Sequence, residues 1–211
     1  MSLRLPRFYP IADAELLTQA QLPLKAFVSE LYAAGMRFMQ YRDKVTNPAN
    51  FLTNARALRS SLPADAKLII NDRADICALS NSDGLHIGQH DLSPAGARRV
   101  IGSDRILGIS THDPAQLALA DATDADYIAI GPVFSTTSKA NPDPVIGLEG
   151  VRLARTLTGK PLVAIGGITL TNARSVIDAG ADSIAVISAL VPARHDESAR
   201  KLAEDFLALL L

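Results

Sequence analysis

The chain has few of the features that would point to secretion, to a membrane or to nucleic acid. It holds one cysteine, Cys77, so an internal disulfide is excluded and a reducing cytoplasm fits. Acidic and basic residues nearly cancel, and the formal net charge of -1 gives no electrostatic basis for binding nucleic acid or an anionic membrane. No apolar run is long enough to cross a bilayer, and the N-terminus carries Arg4 but no apolar signal core. We therefore expect a cytoplasmic protein.

The composition is that of a chain with one sizeable hydrophobic core. With 211 residues, of which 48% are hydrophobic, we predict a single domain over residues 1–211. Linkers and low-complexity segments are absent from the sequence, which gives no sign of a second domain. The oligomeric state stays open, a homo-oligomer included.

Eight short apolar runs, each followed by a helical pattern, alternate along the chain. They cover residues 8–11, 36–41, 67–70, 84–87, 106–109, 127–130, 161–165 and 183–187. Asn47-Pro48, Ser93-Pro94 and Asp113-Pro114 open helices, because each places a capping residue before a proline at the first helical position. Eight such alternations predict an α/β fold, a closed (β/α)8 TIM barrel. The alternative, an open doubly wound sheet, needs fewer strands or more chain.

One stretch, residues 126–139, combines a buried strand with a polar loop. Tyr127–Ile130 is apolar, as a strand buried on both faces should be, and Pro132 ends it because proline has no backbone donor. The residues that follow are four hydroxyls and a cation, Ser135, Thr136, Thr137, Ser138 and Lys139. Hydroxyls and a lysine are suited to hold a phosphate, although an ordinary polar surface loop is the alternative.

A barrel of this kind carries its active site just after the strand ends, on one face. The residues at those positions are nearly all polar or glycine: Gln40, Arg42, Lys44, Asn71, Asp72, Gln89, Asp91, Ser110, Thr111, the loop Thr136 to Lys139, Gly166, Gly167 and Ser188. The opposite strand ends carry mostly Lys67, Asp83, Asp126 and Asp182, which we interpret as an ordinary solvated rim.

Asp72 and Asp91 follow adjacent predicted strands and can converge on one hard cation. Mg²⁺ takes one or two carboxylates and leaves its other positions to water and substrate phosphates, so we predict a magnesium site. For either residue alone, the alternative is a cap on the following helix. A zinc site built from His86, His90 and His112 is a weaker hypothesis, and a structural role is favoured for these histidines.

Arg42, Lys44 and Lys139 would surround the same mouth. Three neighbouring cations repel one another unless an anion lies between them, and a diphosphate bridged to Mg²⁺ is the natural anion for this place. The alternative is a surface salt bridge of Arg42 or Lys44 with Asp43. Gly166-Gly167 and Ile187-Ser188 match the usual phosphate site of such barrels, where loop amides and a helix N-terminus bind a monophosphate, although a plain tight turn also explains the glycines.

In combination, the motifs of this chain resemble those of the thiamine-phosphate synthase family, also called thiamine-phosphate pyrophosphorylases. The motifs are Gln40 to Lys44 (QYRDK), Ile70 to Arg73 (INDR), His86 to Asp91 (HIGQHD), Gly131 to Phe134 (GPVF), Thr136 to Lys139 (TTSK), Ile165 to Ile168 (IGGI) and Ala185 to Ser188 (AVIS). The resemblance implies a (β/α)8 barrel that joins a hydroxymethylpyrimidine diphosphate to a thiazole phosphate with Mg²⁺, giving thiamine phosphate and diphosphate. The expected partners are these small molecules.

The resemblance also implies roles for individual residues. The pyrimidine diphosphate would be held by Gln40, Tyr41, Arg42, Asp43, Lys44, Asn71, Ser110 and Lys139, and the thiazole phosphate by Thr136, Thr137, Ser138, Gly167, Ile187 and Ser188. Asp72 and Asp91 would hold Mg²⁺. Arg42, Lys44 and Lys139 would be catalytic, because they stabilise the diphosphate that leaves in a carbocation-like displacement.

The chain departs from the family's sequence pattern at two places, and two functions other than the synthase reaction remain as alternatives. The family usually has Thr where Ser138 stands, and residues 140–144, ANPDP, are interpreted as a proline-rich lid. A thiazole tautomerase of the same fold would carry a catalytic His near Pro132, where this chain has proline. A non-catalytic phosphate- or thiamine-binding barrel would have no need of two magnesium ligands beside three cations.

Overall fold

Eight parallel strands form a closed barrel in sequence order, and the first strand pairs with both the second and the eighth. The computed structural model describes residues 3–136, 143–193 and 197–211. The strands are β1 Phe8–Asp13, β2 Phe38–Arg42, β3 Lys67–Asn71, β4 Gly84–Ile87, β5 Ile106–Thr111, β6 Tyr127–Ile130, β7 Leu162–Ile165 and β8 Ser183–Val186. The predicted (β/α)8 barrel is confirmed, and the pairing of β1 with β8 rules out the open doubly wound alternative.

The helices lie outside the barrel and cover its strands. They are α1 Ala14–Gln19, α2 Leu24–Ala33, α3 Pro48–Ser61, α4 Ala74–Leu79, α5 Pro94–Ile101, α6 Pro114–Asp121, α7 Gly147–Leu157, α8 Ala173–Asp178 and α9 Ala199–Leu210, and Ser188–Leu190 is a short 3-10 helix. Within the described ranges, no helix is long and apolar enough to cross a membrane.

The hydrophobic residues separate into two layers, because successive side chains of a strand point to opposite faces. Residues that point outward from the strands pack against the helices in one large core, as Tyr41 does against Phe51 of α3. Those that point inward fill the barrel in a smaller cluster built around Tyr9, Phe38 and Tyr127. The floor of any cavity at the strand ends is therefore made by inward-pointing residues.

Helix starts follow the capping signals in the sequence. Asn47, Ser93 and Asp113 each accept a hydrogen bond from the backbone amide three residues on, as the capping prediction requires. Helix α1 was not predicted, because its six residues, AELLTQ, are too few to show a helical period. Its N-cap is Asp13, whose Oδ1 accepts from the Leu16 amide at 3.0 Å.

Four strands continue beyond their predicted ends, β2 and β3 by one residue each and β1 and β5 by two residues each. β1 runs to Asp13, which pairs with Arg42 of β2, and β5 runs to Thr111, which pairs with Ile130 of β6. The predicted apolar runs stopped where polar residues began, but the neighbouring strands supply pairing partners for those residues as well. Ser110 is consequently held on a strand rather than on a loop.

The amino-terminal rim is more ordered than the solvated edge that we expected. Asp83, Asp126 and Asp182 precede β4, β6 and β8. Each carboxylate accepts one hydrogen bond from an arginine side chain and another from the first or second backbone amide of the preceding strand. The arginines are Arg59, Arg98 and Arg155, from α3, α5 and α7. Each group ties a helix to two strands, so this rim stabilises the barrel.

Candidate active site

A cavity of about 380 Å³ opens at the carboxyl ends of the strands. All eight strands or the loops after them contribute to it. Of the residues with a predicted role, the structure brings together Gln40, Arg42, Lys44, Asn71, Asp72, Asp91, Ser110, Thr136, Gly167, Ile187 and Ser188. Thr137, Ser138 and Lys139, together with residues 140–142 of the predicted lid, lie outside the described residues.

Asp72 and Asp91 meet on one side of this cavity. The pKa of Asp72 is raised to about 6 by burial and by a hydrogen bond between its carboxyl and that of Asp91. An ion pair with Lys44 acts in the opposite direction and lowers this pKa. Asp72 has a φ of 62°, a left-handed conformation that costs energy for a residue with a side chain, and its amide donates to the His86 carbonyl at 2.7 Å. The chain therefore turns sharply after β3 and presents this carboxyl to Asp91.

Neither aspartate caps a helix. Ser93 caps α5, and α4 begins after Arg73 without a side-chain cap. Asp91 instead accepts from the Gly88 amide at 2.7 Å, within its own loop. The helix-capping alternative is wrong for both residues, and both carboxyls stay directed at the cavity.

Arg42 and Lys44 are paired differently from the surface salt bridges considered as an alternative. Arg42 donates to Asp13, and the side chains of the two residues are 21% and 7% exposed, respectively. Lys44 pairs with Asp72. Sequence reasoning missed Asp13 because it lies 29 residues before Arg42 in the chain. Its second oxygen does cap α1, so one side chain joins a helix start to a cavity cation.

Tyr41 and Asp43, for which a substrate contact was also predicted, do not line the cavity. Tyr41 points outward because Gln40 points inward, and its hydroxyl donates to Asp43 at 2.7 Å. Asp43 also accepts from the amide and the hydroxyl of Thr46. These two residues shape the turn after β2 rather than the cavity wall, so the structure does not bring them together with the other predicted site residues, and their contact with substrate stays a prediction.

A chain of polar side chains crosses the floor of the cavity. Gln40 Nε2 donates to the Tyr9 hydroxyl at 2.9 Å, the hydroxyls of Tyr9 and Tyr127 are 2.9 Å apart, and His86 Nδ1 lies 2.9 Å from the Tyr127 hydroxyl. His86 Nε2 lies 2.8 Å from Ser110 Oγ. Burial raises the pKa of both phenols and lowers the pKa of His86 to about 4. All three side chains are thus neutral near pH 7.

The opposite wall of the cavity is made by backbone after β7 and β8. Gly167 has a φ of 63°, and a Cβ there would stand 2.4 Å from the Ser135 carbonyl oxygen. The strand-six loop packs directly on this turn, where the Phe134 amide donates to the Gly166 carbonyl at 3.0 Å. Glycine is required by both the conformation and the close contact.

His112 joins the end of β5 to the loop after β6. Its Nδ1 donates to the Gly131 carbonyl at 2.7 Å, and its Nε2 lies 3.5 Å from Asp143 Oδ2. His86 is engaged on both nitrogens by hydroxyls. In the described part of the chain, no group of three or more His, Cys, Asp or Glu side chains could hold a metal. The histidine-based zinc alternative therefore has no support, and a structural role for His86 fits.

Fold and site together define a (β/α)8-barrel protein with cationic side chains and a pair of carboxyls at the mouth of its cavity. Residues 8–190 match the family model described as thiamine monophosphate synthase. The chain is 49% identical to the thiamine-phosphate synthase of Koribacter versatilis, over 99% of this chain and 97% of that protein. It is 38% identical to the thiamine-phosphate synthase of Leptospira biflexa, over 94% and 96%. The chain belongs to the thiamine-phosphate synthase family, which are transferases of thiamine biosynthesis.

Solved structures agree with this assignment. The thiamine phosphate pyrophosphorylase of Pyrococcus furiosus superposes with a TM-score of 0.84 at 32% identity, covering 97% of this chain and 95% of that one. A 3-hexulose-6-phosphate synthase superposes with a TM-score of 0.69 over 96% of this chain and 99% of its own, but at 16% identity it shows the fold alone. The family recognised from the motifs is confirmed, while the role of each site residue stays a prediction.

Proposed function

We propose that the protein joins a hydroxymethylpyrimidine diphosphate to a thiazole phosphate, giving thiamine phosphate and free diphosphate with the help of Mg²⁺. The bond between the pyrimidine methylene carbon and the diphosphate oxygen breaks, and diphosphate leaves with the electron pair. The thiazole nitrogen then gives its lone pair to that carbon and forms the new C–N bond. Because that nitrogen already carries a lone pair, the protein has no need of a strong base.

The observation that carries the proposal is the contact between two carboxyls beside two cations. Asp72 and Asp91 touch, Lys44 pairs with Asp72, and Arg42 lies at the same mouth. Burial raises the pKa of Asp72, and the neighbouring Asp91 carboxyl raises it further, because two carboxylates in a partly buried site repel each other. A divalent cation would relieve that repulsion, and a diphosphate would in turn neutralise the cations.

Magnesium fits this donor set. It binds through one or two carboxylates, and substrate phosphates and water fill its other positions. Asp72 and Asp91 would hold it, and the bound ion would offset the negative charge that develops on the departing diphosphate.

The chain's own cations and hydroxyls would bind and orient that diphosphate. Arg42 is fixed by Asp13, so its guanidinium is preorganised at the mouth rather than ordered at each turnover. Lys44 and Ser110 line the same cavity. Lys139 belongs to this set by its motif alone, and we expect Lys139→Ala to lower kcat more than it raises KM.

The thiazole phosphate would bind across the cavity from the paired aspartates. Thr136, Gly167, Ile187 and Ser188 line that wall, where hydroxyls and backbone amides can donate to phosphate oxygens. Thr137 and Ser138 join this group by their motif. Seating the thiazole there would place its nitrogen behind the reacting carbon, so that the two substrates would meet in a fixed orientation.

A product assay tests the proposal. Purified protein is mixed with hydroxymethylpyrimidine diphosphate, thiazole phosphate and Mg²⁺, and thiamine phosphate is oxidised to fluorescent thiochrome. Product that disappears with a chelator and in Asp72→Ala would support both the reaction and the metal site. Product that persists undiminished with a chelator would remove the metal from the proposal. If folded protein gives no product, the proposed coupling reaction is refuted, and thiazole tautomerisation would be assayed next.

A further inference from the structure

The hydrogen bonds across the cavity floor connect two residues of the predicted pyrimidine-diphosphate site. Gln40 and Ser110 both line the cavity, at opposite ends of the chain of side chains that runs through Tyr9, Tyr127 and His86. Tyr127 does not line the cavity and is fully buried beneath it. It is therefore the link that touches no substrate.

The direction of these hydrogen bonds is assigned so that every hydroxyl proton has an acceptor. The Tyr9 hydroxyl accepts from Gln40 Nε2, and its single proton is then assigned to the Tyr127 hydroxyl. Tyr127 then donates its own proton to His86 Nδ1. A neutral imidazole has one proton for its two nitrogens, so that proton sits on Nε2.

The last step concerns Ser110. In this assignment His86 Nε2–H donates to Ser110 Oγ, 2.8 Å away, so the hydroxyl oxygen serves as the acceptor. Among the described residues the Ser110 hydroxyl makes no other hydrogen bond, so its proton is available to a group in the cavity. A serine held in this way acts as a donor, which suits an anionic ligand.

We propose that Gln40, Tyr9, Tyr127 and His86 form one directed hydrogen-bond relay that fixes Ser110 as a donor to the leaving diphosphate. Tyr9, Tyr127 and His86 are thereby positioning residues. The inference rests on the proposed function for the identity of the ligand. The position of Tyr127 itself depends on Gly108 of the neighbouring strand, because a Cβ there would stand 2.1 Å from the phenol Cζ.

The first test reads the tautomer of His86 in the unliganded protein. The chain has four histidines, so nitrogen-15 NMR of histidine-labelled protein can resolve each ring, and His86 is assigned by its loss in His86→Asn. We expect a proton on Nε2 and none on Nδ1. The opposite tautomer would reverse the direction of the relay and overturn the proposal. This measurement needs no substrate, and the His86→Asn variant serves only to assign the signal.

The second test is a double-mutant cycle on turnover. Ser110→Ala is expected to lower kcat about tenfold or more, the loss of one hydrogen bond to a charged group. Tyr127→Phe should lower kcat several-fold, and the double variant should be no slower than Ser110→Ala alone. Effects that multiply, or a Tyr127→Phe protein with normal kcat, would overturn the relay.

A matched control separates the relay from general loss of a buried hydroxyl. Ser183 is fully buried in the same barrel, and among the described residues its Oγ has no hydrogen-bond partner. Ser183→Ala should leave kcat unchanged. If Tyr127→Phe does not fold, Tyr9→Phe interrupts the same chain one step earlier and should also lower kcat. Wild-type protein without synthase activity would refute the proposed function and with it the diphosphate ligand, while the His86 tautomer would still decide the direction of the hydrogen bonds.

Discussion

At the amino-terminal rim of the barrel, Asp83, Asp126 and Asp182 are each matched by an arginine, whereas at the carboxyl-terminal rim Asp72 contacts another aspartate. The first arrangement satisfies every carboxylate with donors from the protein. The second leaves like charges together with cations around them, which costs stability and calls for a ligand. The same residue type thus serves folding at one rim and chemistry at the other.

The largest effect should come from removing charge at the carboxyl-terminal rim. Asp72→Asn should lower kcat/KM for thiamine phosphate formation about 10²–10³-fold, because the amide cannot hold the cation that faces the diphosphate. Stability to urea should not fall, since the carboxyl contact with Asp91 is relieved. Asp182→Asn, at the other rim, is the matched control and should keep normal kcat. A variant of Asp72 within a few-fold of wild-type activity would contradict the assigned role.

The next effect belongs to the amino-terminal rim and should appear in stability alone. Arg59 is 15% exposed and donates to Asp83 and to the carbonyls of Leu62, Pro63 and Ala66. Arg59→Ala should lower the free energy of unfolding by about 2 kcal/mol, since it leaves part-buried acceptors without a donor. Urea unfolding measures the change, and kcat of the folded variant should stay normal. A loss of kcat without loss of stability would show that the two rims are not separate.

Asp13 should behave as a member of the carboxyl-terminal rim although it also caps a helix. Asp13→Asn keeps a capping oxygen for α1 but removes the charge that holds Arg42, so kcat/KM should fall about tenfold with little change in stability. Asp113→Asn is the control, because Asp113 caps α6 in the same way and does not line the cavity. Equal effects of the two substitutions on activity would count against the positioning of Arg42 by Asp13.

The smallest effect should come from the exposed partner of a rim aspartate. Lys67 shares Asp83 with Arg59, but its side chain is 45% exposed. Lys67→Ala should change the free energy of unfolding by about 0.5 kcal/mol or less, because solvent screens such a pair. Comparison with Arg59→Ala in the same urea series sharpens the distinction, and a loss as large as that of Arg59→Ala would contradict it.

The order of elements and most of their bounds could be predicted from local signals. Apolar runs identified the eight strands, and Asn47, Ser93 and Asp113 marked helix starts because capping is a contact over three residues. Helix α1 escaped because it is short. The residues around the mouth were found because parallel strands all end at the same rim.

The relay residues were harder to find. Tyr127 sits in an apolar run and looks like core, yet it joins a polar chain with Tyr9, 118 residues away. The sequence did contain a signal for them. Four otherwise buried strands each carry a side chain that ends in a polar group: Tyr9, Gln40, His86 and Ser110. Their alternation predicts one face but not the neighbour that each side chain meets.

By itself, the sequence determined that this chain folds as a (β/α)8 barrel of the thiamine-phosphate synthase family, with its polar residues gathered after the strand ends. Hydrophobic period, capping and motif spacing are local properties, because each depends only on residues that are close together in the chain. Only the tertiary structure decided that Asp13 pairs with Arg42, that Tyr9 meets Tyr127, and that Tyr41 faces the helices. Those contacts depend on the register at which eight strands close, because a shift of one residue exchanges the inner and outer faces of a strand.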